Sequence, residues 1–283
     1  MTIDSTLIPH INANVATALQ EDLRDGDLTA QLIPVDQQGY ATIITRQDAV
    51  LCGTAWFEAC FKALDPNCSI SWFAQDGDAV QATQTLCEVR GHARALLSAE
   101  RPALNFLQTL SAVATATRRY VELVAGTRAQ ILDTRKTMPG LRMAQKYAVK
   151  TGGGQNQRIG LFDGILIKEN HIMAAGGIRP ALHEAMRIAP PGVSIQIEVE
   201  TLEQLREALE GGAKLVLLDN FDLDGMHAAV ELTAGRAALE ASGGVNLHTV
   251  RAIAETGVDR ISIGSLTKDV QAVDLSMRFV VQP

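Results

Sequence analysis

The sequence predicts an α/β protein whose second, larger part is a parallel sheet of βα units curled into a barrel. Three observations predict it. After Thr127, short apolar runs alternate with amphipathic stretches at near-constant spacing, and each apolar run is followed at once by a charged or glycine-containing group. In one run Ile195, Ile197 and Val199 alternate with Gln196, Glu198 and Glu200. Repeated βα units imply a parallel sheet, doubly wound or closed, and polar groups gathered at strand C-terminal ends favour the barrel, which carries its chemistry there. In a barrel the apolar set of that alternating strand meets the helices and the polar set lines the lumen. The alternative is an edge strand with one wet face.

Taken in order, the first hundred residues mix helix and strand. Val15, Leu19 and Leu23 give an amphipathic helix ending in the acidic turn Glu21 to Asp27. Tyr40 to Thr45 is strand-like, and the stretch from Val80 and Gln81 to Val89 suggests further extended segments. A longer helix runs from about Ala103 to Val124, with Leu104, Leu107, Leu110, Ala114 and Val121 near helical spacing and Gly126 as its stop. Ala129 to Leu132 opens the repeats, and a helix follows around Leu141 to Val149. The strand Ile165 to Ile167 precedes a helix that starts beside Pro180 and ends before Pro190-Pro191. Ile195 to Val199 leads into a helix opened by the capping box Thr201 to Gln204 and closed by Gly211-Gly212. Leu215 to Leu218, Ala237 to Ala241 and Ile261 to Ile263 are further strands, and the helix between the last two ends at Gly257. The count comes to roughly six βα units.

Composition narrows the function. The chain has 283 residues, 47% hydrophobic and 20% charged, which is globular and long enough for one large or two ordinary domains. No apolar run approaches the roughly 18 residues of a membrane helix. Met1 to Asp4 lacks the basic start and apolar block of a secretion signal, so a cytoplasmic location is expected. A net charge of −7 argues against a broad nucleic-acid surface and leaves room for a small basic pocket. Cys52, Cys60, Cys68 and Cys87 form no C-x-x-C pair and read as core thiols. No Walker A loop, no G-x-G-x-x-G after the first strand and no H-E-x-x-H occurs, and His10, His92, His183, His227 and His248 share no spacing.

The groups after the strands carry the chemistry. Arg135, Lys136, Arg158 and Lys168 gather cations at one rim of an acidic protein, which is repulsive unless an anion binds there. Arginine suits planar carboxylates and phosphates because it offers a two-pronged donor. Glu198 and Asp219 lie on neighbouring strands. Such a pair can hold Mg2+ with substrate phosphates, stabilise a cationic sugar or bind its hydroxyls, or form a salt bridge with Lys136 or Lys168. Ser242-Gly243-Gly244 and Gly264-Ser265 expose backbone N–H groups after the last two strands, where α/β barrels commonly seat a phosphate. Gly152-Gly-Gly154 is a close-approach loop or a hinge.

Several segments resemble the quinolinate phosphoribosyltransferase family, collinearly over nearly the whole chain. They are Asp133-Thr-Arg-Lys-Thr-Met-Pro-Gly-Leu-Arg142, Lys146 to Val149, Gly152 to Gly154, Leu166-Ile-Lys-Glu-Asn-His171, Leu217-Leu-Asp-Asn-Phe221, Glu240-Ala-Ser-Gly-Gly244 and Val273 to Met277, with Glu21-Asp22, Gly26-Asp27 and Glu100-Arg101 earlier. The resemblance implies an N-terminal α/β sandwich-like domain plus the open α/β barrel of the type II phosphoribosyltransferases. The expected bounds are 1–103 and 104–269, with 270–283 packing back on the first domain. It implies transfer of 5-phosphoribosyl from 5-phosphoribosyl pyrophosphate (PRPP) to quinolinate with loss of CO2, and a homodimer or a hexamer of dimers with shared active sites.

By the same resemblance Lys136, Lys168, Glu198 and Asp219 are catalytic. Arg101 enters the partner's site, and Arg135, Gln157, Arg158, Lys168 and His171 face quinolinate. Ser242, Gly243, Gly264 and Ser265 hold the 5′-phosphate, and Mg2+ is served by Glu198 and Asp219, directly or through water. Two positions depart from the family. Where Asn-His-Arg is common this chain has Asn156-Gln157-Arg158, so Gln157 is expected to make the histidine's contact without its titration. In Glu100-Arg-Pro102 a proline replaces the usual threonine, in what reads as the first turn of a helix. The rival readings are a related phosphoribosyltransferase with another substrate and a barrel that senses a phosphorylated ligand without turnover.

Overall fold

The computed structural model describes residues 4–281. In chain order the first elements are α1 (Ile8–Leu23), β1 (Gln38–Thr45), β2 (Ala49–Val50), α2 (Thr54–Leu64), β3 (Ser69–Trp72), β4 (Ala79–Val80), β5 (Thr85–His92) and α3 (Ala93–Leu123). Next come β6 (Gln130–Leu132), α4 (Arg142–Thr151), β7 (Gly164–Ile167), α5 (Glu169–Ala175), α6 (Ile178–Ile188), β8 (Ser194–Val199) and α7 (Leu202–Glu210). The chain continues through β9 (Leu215–Asp219), α8 (Leu223–Thr233), β10 (Ala238–Ser242), α9 (Val250–Glu255), β11 (Arg260–Ser262), α10 (Ser265–Lys268) and β12 (Leu275–Val281). These form two compact units: residues up to 118 with 138–153 and from 268 onward, and residues 119–137 with 154–267.

The first unit holds an antiparallel sheet ordered β12-β1-β5-β3 and the small β2-β4 ribbon. Strand β1 alternates buried and half-buried residues along its length, as a strand with one face on a core must. Trp56, Phe57 and Phe61 of α2, Ile43 of β1, Leu86 of β5 and Leu104, Leu107 and Leu110 of α3 fill that core. Each such side chain contributes about 1.5–3 kcal/mol by leaving water. The final strand pairs with β1 along its length, Thr45 opposite Leu275 through Gly39 opposite Val281. All four cysteines are reduced and buried in this unit.

Two expectations change here. Helix α3 begins at Ala93, so Pro102 lies well inside it rather than in its first turn. Leu96, Ala99, Ala103, Leu107, Leu110 and Ala114 form one buried stripe on either side of the proline, and that burial outweighs the single missing N–H. The expected boundary at 103/104 therefore falls inside a continuous helix. Helix α4, placed in the barrel domain by the sequence reading, instead sends Ala144, Ala148 and Val149 into the first unit's core.

The second unit is a six-stranded parallel sheet ordered β6-β11-β10-β9-β8-β7. From β7 to β11 each strand lies beside its successor, and the first strand, β6, lies beside the last. A sheet wound in one sense until its last strand meets its first curls into a barrel. The seam stays open between β6 and β7, where Gln155 makes a single parallel bridge to Leu132. Strand β8 lies between β7 and β9 and is no edge, which removes the wet-edge alternative. Its inward Gln196 is buried and meets Glu240 of β10.

Candidate active site

The second unit brings most of the anticipated residues to the strand C-terminal ends. Lys168 follows β7, Glu198 lies near the end of β8, Asp219 ends β9 and Ser242 ends β10. Parallel pairing places Ser242 directly across from Asp219. Lys168 Nζ forms a salt bridge with Glu198 Oε2, so one of the alternatives open from sequence is realised. Asp219 feels the rest of the cluster. Burial raises its carboxyl above the ordinary aspartate value and the charge of Glu198 raises it further, while Lys168 and Lys136 pull it back. Two carboxylates and two lysines thus share one small volume.

The loop after β9 is built around that carboxylate. Asn220 has φ +56°, its Nδ2 donates to Asp219 Oδ2 at 3.0 Å, and its backbone N–H donates to Ser242 O at 3.0 Å. Gly243 has φ +105°, and a Cβ there would stand 2.1 Å from Asn220 Oδ1. Glycine is therefore required twice over, for conformation and for space. Gly264 answers a similar need, because its missing Cβ leaves room for the Lys136 stem, whose Cδ would be 2.9 Å away. The backbone of Lys136 is pinned by its N–H to Thr134 Oγ1 at 3.0 Å and by Thr267 Oγ1 to its carbonyl at 2.8 Å.

A second group sits at the barrel seam. Arg158 donates through Nη1 to Gly164 O at 2.9 Å. Burial and the neighbouring charge of Arg135 both disfavour its cationic form, and Asp163 partly offsets them. Arg158 is half-buried and Arg135 beside it is exposed; two neighbouring guanidinium groups that repel each other suit a planar anion. Asp133, fully buried at the end of β6, holds the approach to Arg158: its carboxylate accepts from Asn156 Nδ2 at 2.6 Å and from the Gln157 backbone N–H at 2.8 Å.

Three further anticipated residues have settings of their own. The Gln157 amide points into the barrel, where Nε2 stands 2.7 and 2.9 Å from the two oxygens of Glu240 and 2.9 Å from Gln196 Oε1. His171 Nδ1 accepts from the Lys168 backbone N–H at 3.0 Å, capping α5 and leaving Nε2 as its outward nitrogen. Arg101 belongs to the first unit, where it lines a hollow of about 400 Å³ with Glu21, Asp22, Asn105, Phe106 and Gly140. Sequence reasoning assigned no role to Asp133, Asn220 or Glu240. Each lies in a segment already singled out; for Asp133 and Asn220 the available signal was an acid or amide at a barrel strand end, and for Glu240 it was an acid inside an apolar strand. Gly152, left open as close approach or hinge, is a close approach: its Cβ would meet Ala114 O at 2.5 Å.

Sequence comparison agrees with this arrangement. The family model described as quinolinate phosphoribosyl transferase, C-terminal domain, matches residues 113–278, and that of the N-terminal domain matches residues 27–111. A probable nicotinate-nucleotide pyrophosphorylase [carboxylating] of Bacillus subtilis is 44% identical over 257 residues, covering 91% of this chain and 89% of that protein. Among solved structures, the nicotinate-nucleotide pyrophosphorylase from Francisella tularensis superposes with a TM-score of 0.93 at 43% identity, covering 96% of each chain. NadC from Streptococcus pyogenes does so with a TM-score of 0.95 at 34% identity, covering 100% of each.

Proposed function

The chain belongs to the quinolinate phosphoribosyltransferase family, and from that membership together with its strand-end chemistry we infer that it is a nicotinate-nucleotide pyrophosphorylase of the carboxylating type. It transfers 5-phosphoribosyl from PRPP to quinolinate and releases pyrophosphate and CO2, giving nicotinate mononucleotide for NAD biosynthesis. The observation that supports the residue roles is that one barrel carries both the repelling pair Arg135 and Arg158, at its seam, and the lysine–carboxylate cluster, at the ends of β7, β8 and β9.

The roles follow from charge. Arg135 and Arg158 receive the carboxylates of quinolinate, with Lys168 and the outward nitrogen of His171 beside them. The backbone of Ser242, Gly243, Gly264 and Ser265 receives the 5′-phosphate. As the bond from ribose C1 to pyrophosphate breaks, positive charge grows on the sugar, and Glu198 and Asp219 stabilise it while Lys136 stabilises the departing anion. The pyridine nitrogen forms the new bond to C1, for which fixed alignment matters most. The ring nitrogen then bears positive charge. The adjacent carboxylate leaves as CO2, its electron pair stays on the ring carbon, and a proton from solvent fills that position.

Mg2+ is the cofactor we propose. Glu198 and Asp219 are hard oxygen donors; burial and then the charge of Glu198 raise the Asp219 carboxyl, and a cation would relieve that repulsion. Among the described residues no group of three or more His, Cys, Asp or Glu could hold a metal. The proposed ion would be held by one or both of these carboxylates, with water and pyrophosphate oxygens completing its shell. When bound, it neutralises charge developing on the pyrophosphate. We propose a homodimer in which Arg101, exposed on the first unit, serves the partner's barrel, singly or as a hexamer of such dimers. No helix among the described residues is long and apolar enough to cross a membrane.

The test is a turnover assay with quinolinate, PRPP and Mg2+ that follows nicotinate mononucleotide and CO2 together. Matched release of both is expected. No product from folded protein that still binds PRPP would overturn the assignment of substrate.

A further inference from the structure

Glu240 has no part in the reaction as derived above, yet it is a fully buried carboxylate in the middle of β10. Such a group costs several kcal/mol unless its charge is balanced and its oxygens are bonded. Arg260 balances the charge: its Nε stands 3.3 Å from Oε2, but without hydrogen-bond alignment. Direction comes instead from two amides. Gln157 Nε2 lies 2.7 Å from Oε1 and 2.9 Å from Oε2, and Gln196 Nε2 donates to Oε2 at 3.1 Å. The carboxylate orients the Gln157 amide, because only its nitrogen end can face an anion.

The other end of that amide is equally committed. Gln157 Oε1 accepts from the backbone N–H of Arg158 at 3.1 Å, and the Gln157 N–H is anchored on Asp133 at 2.8 Å. This segment crosses the seam between β6 and β7, bridging Leu132 through Gln155 and reaching Gly164 O through Arg158 Nη1. The seam has no continuous ladder of its own, so the side-chain tie fixes where the Arg158 backbone sits. An amide suits the task because it donates and accepts at one end and stays uncharged.

We propose that Glu240 and Gln157 form a tie across the barrel interior that positions Arg158, making Glu240 a positioning residue for the acid substrate. The proposal rests on the reading of Arg158 as a quinolinate ligand. Its consequence is selective: loosening the tie weakens recognition of quinolinate and leaves the PRPP site intact. A network that merely holds the barrel together would weaken both alike.

Steady-state kinetics and quinolinate calorimetry on full-length Glu240→Gln and Gln157→Met test it. Each variant is expected to raise KM and Kd for quinolinate about tenfold, with KM for PRPP changed less than about twofold, as leaving one buried donor or acceptor unpaired would do. In an Arg158→Lys background the further effect of Glu240→Gln on quinolinate Kd is expected to shrink below about twofold, because the tie then has no fork to place. Equal increases in both KM values, or an undiminished loss in the Arg158→Lys background, overturn the proposal. Gln157→Met carries the test if Glu240→Gln does not fold, since it leaves Glu240 with Gln196 and Arg260. Wild-type protein that fails to bind quinolinate overturns the functional reading itself, a result separate from any behaviour of the variants.

Discussion

Asp65 shows what one side chain can do outside the active site. It ends α2, is buried, and accepts from the backbone N–H groups of Asn67 at 3.0 Å and His92 at 2.9 Å and lies 3.1 Å from His92 Nδ1. Burial pushes its carboxyl up, but the bonds from His92 and Asn67 win and hold it below the ordinary value. A depressed acid contributes stability that is present above the unfolded value, about 4, and is lost as pH falls through the folded one. Asp65→Asn is therefore expected to lower stability by about 1–2 kcal/mol at neutral pH. The gap between thermal melts of the two proteins should begin to narrow only below about pH 4 and close as pH falls through the lower folded value; a gap that stays constant as pH falls well below about 4 would show that the charge is not the cause. The site behaves differently. The Lys168–Glu198 pair is half-exposed on the lysine side, so Glu198→Gln should change Tm little, while turnover falls about a hundredfold or more. A large loss of Tm with turnover preserved would remove Glu198 from the chemistry. Glu198 and Asp219 were legible from sequence because strand ends in a barrel point at substrate. Gln157 was not, because its partners lie on β8 and β10 and no local pattern announces them.

At the scale of elements, the sequence signals that succeeded were periodic ones. The βα repeats and their glycine stops appear where the spacing put them, whereas β2, with two residues, is too short to leave a pattern and β3 went unread. Helix α2 went unread, although Trp56, Phe57, Cys60 and Phe61 form its buried face, and a glycine in left-handed conformation, Gly53, caps it. Helix α3 was cut short because Pro102 reads locally as a start, and only the stripe on both of its sides reveals the continuation. Packing of α4 against α3 depends on one missing methyl group. Gly152 has ordinary helical φ, yet its Cβ would meet Ala114 O at 2.5 Å and Thr117 Cβ at 2.7 Å. Gly152→Ala is expected to destabilise by about 1–3 kcal/mol through overpacking, read as a lower denaturant midpoint; an unchanged midpoint would mean that the two helices separate freely. Gly243→Ala combines strain with a clash on Asn220 and should raise KM for PRPP at least about tenfold, since bent backbone there costs of order 1–3 kcal/mol.

At the scale of the molecule, a net charge of −7 with cations gathered at one barrel rim makes the site a local exception to the surrounding field, as two anionic substrates require. The barrel was legible because its winding follows from repeated units. The division of the chain was less so, because α3 runs from one unit into the other and 138–153 returns to the first. The proposed sharing of sites between subunits has a decisive test that uses two dead proteins. Arg101→Ala lacks the group proposed to cross over, and Asp219→Asn lacks a carboxylate of its own barrel. If Arg101 serves the partner's barrel, a mixed dimer contains one whole site: the intact barrel of the Arg101→Ala subunit, covered by the arginine of the Asp219→Asn subunit. Random exchange of equal amounts should then restore about a quarter of wild-type turnover, since half the dimers are mixed and each holds one working site of two. If Arg101 serves its own barrel, every site in the mixture lacks one group and turnover stays at the level of the separate variants. Recovery must also depend on exchange, appearing after mild dissociation and reassembly and not on simple mixing of stable dimers.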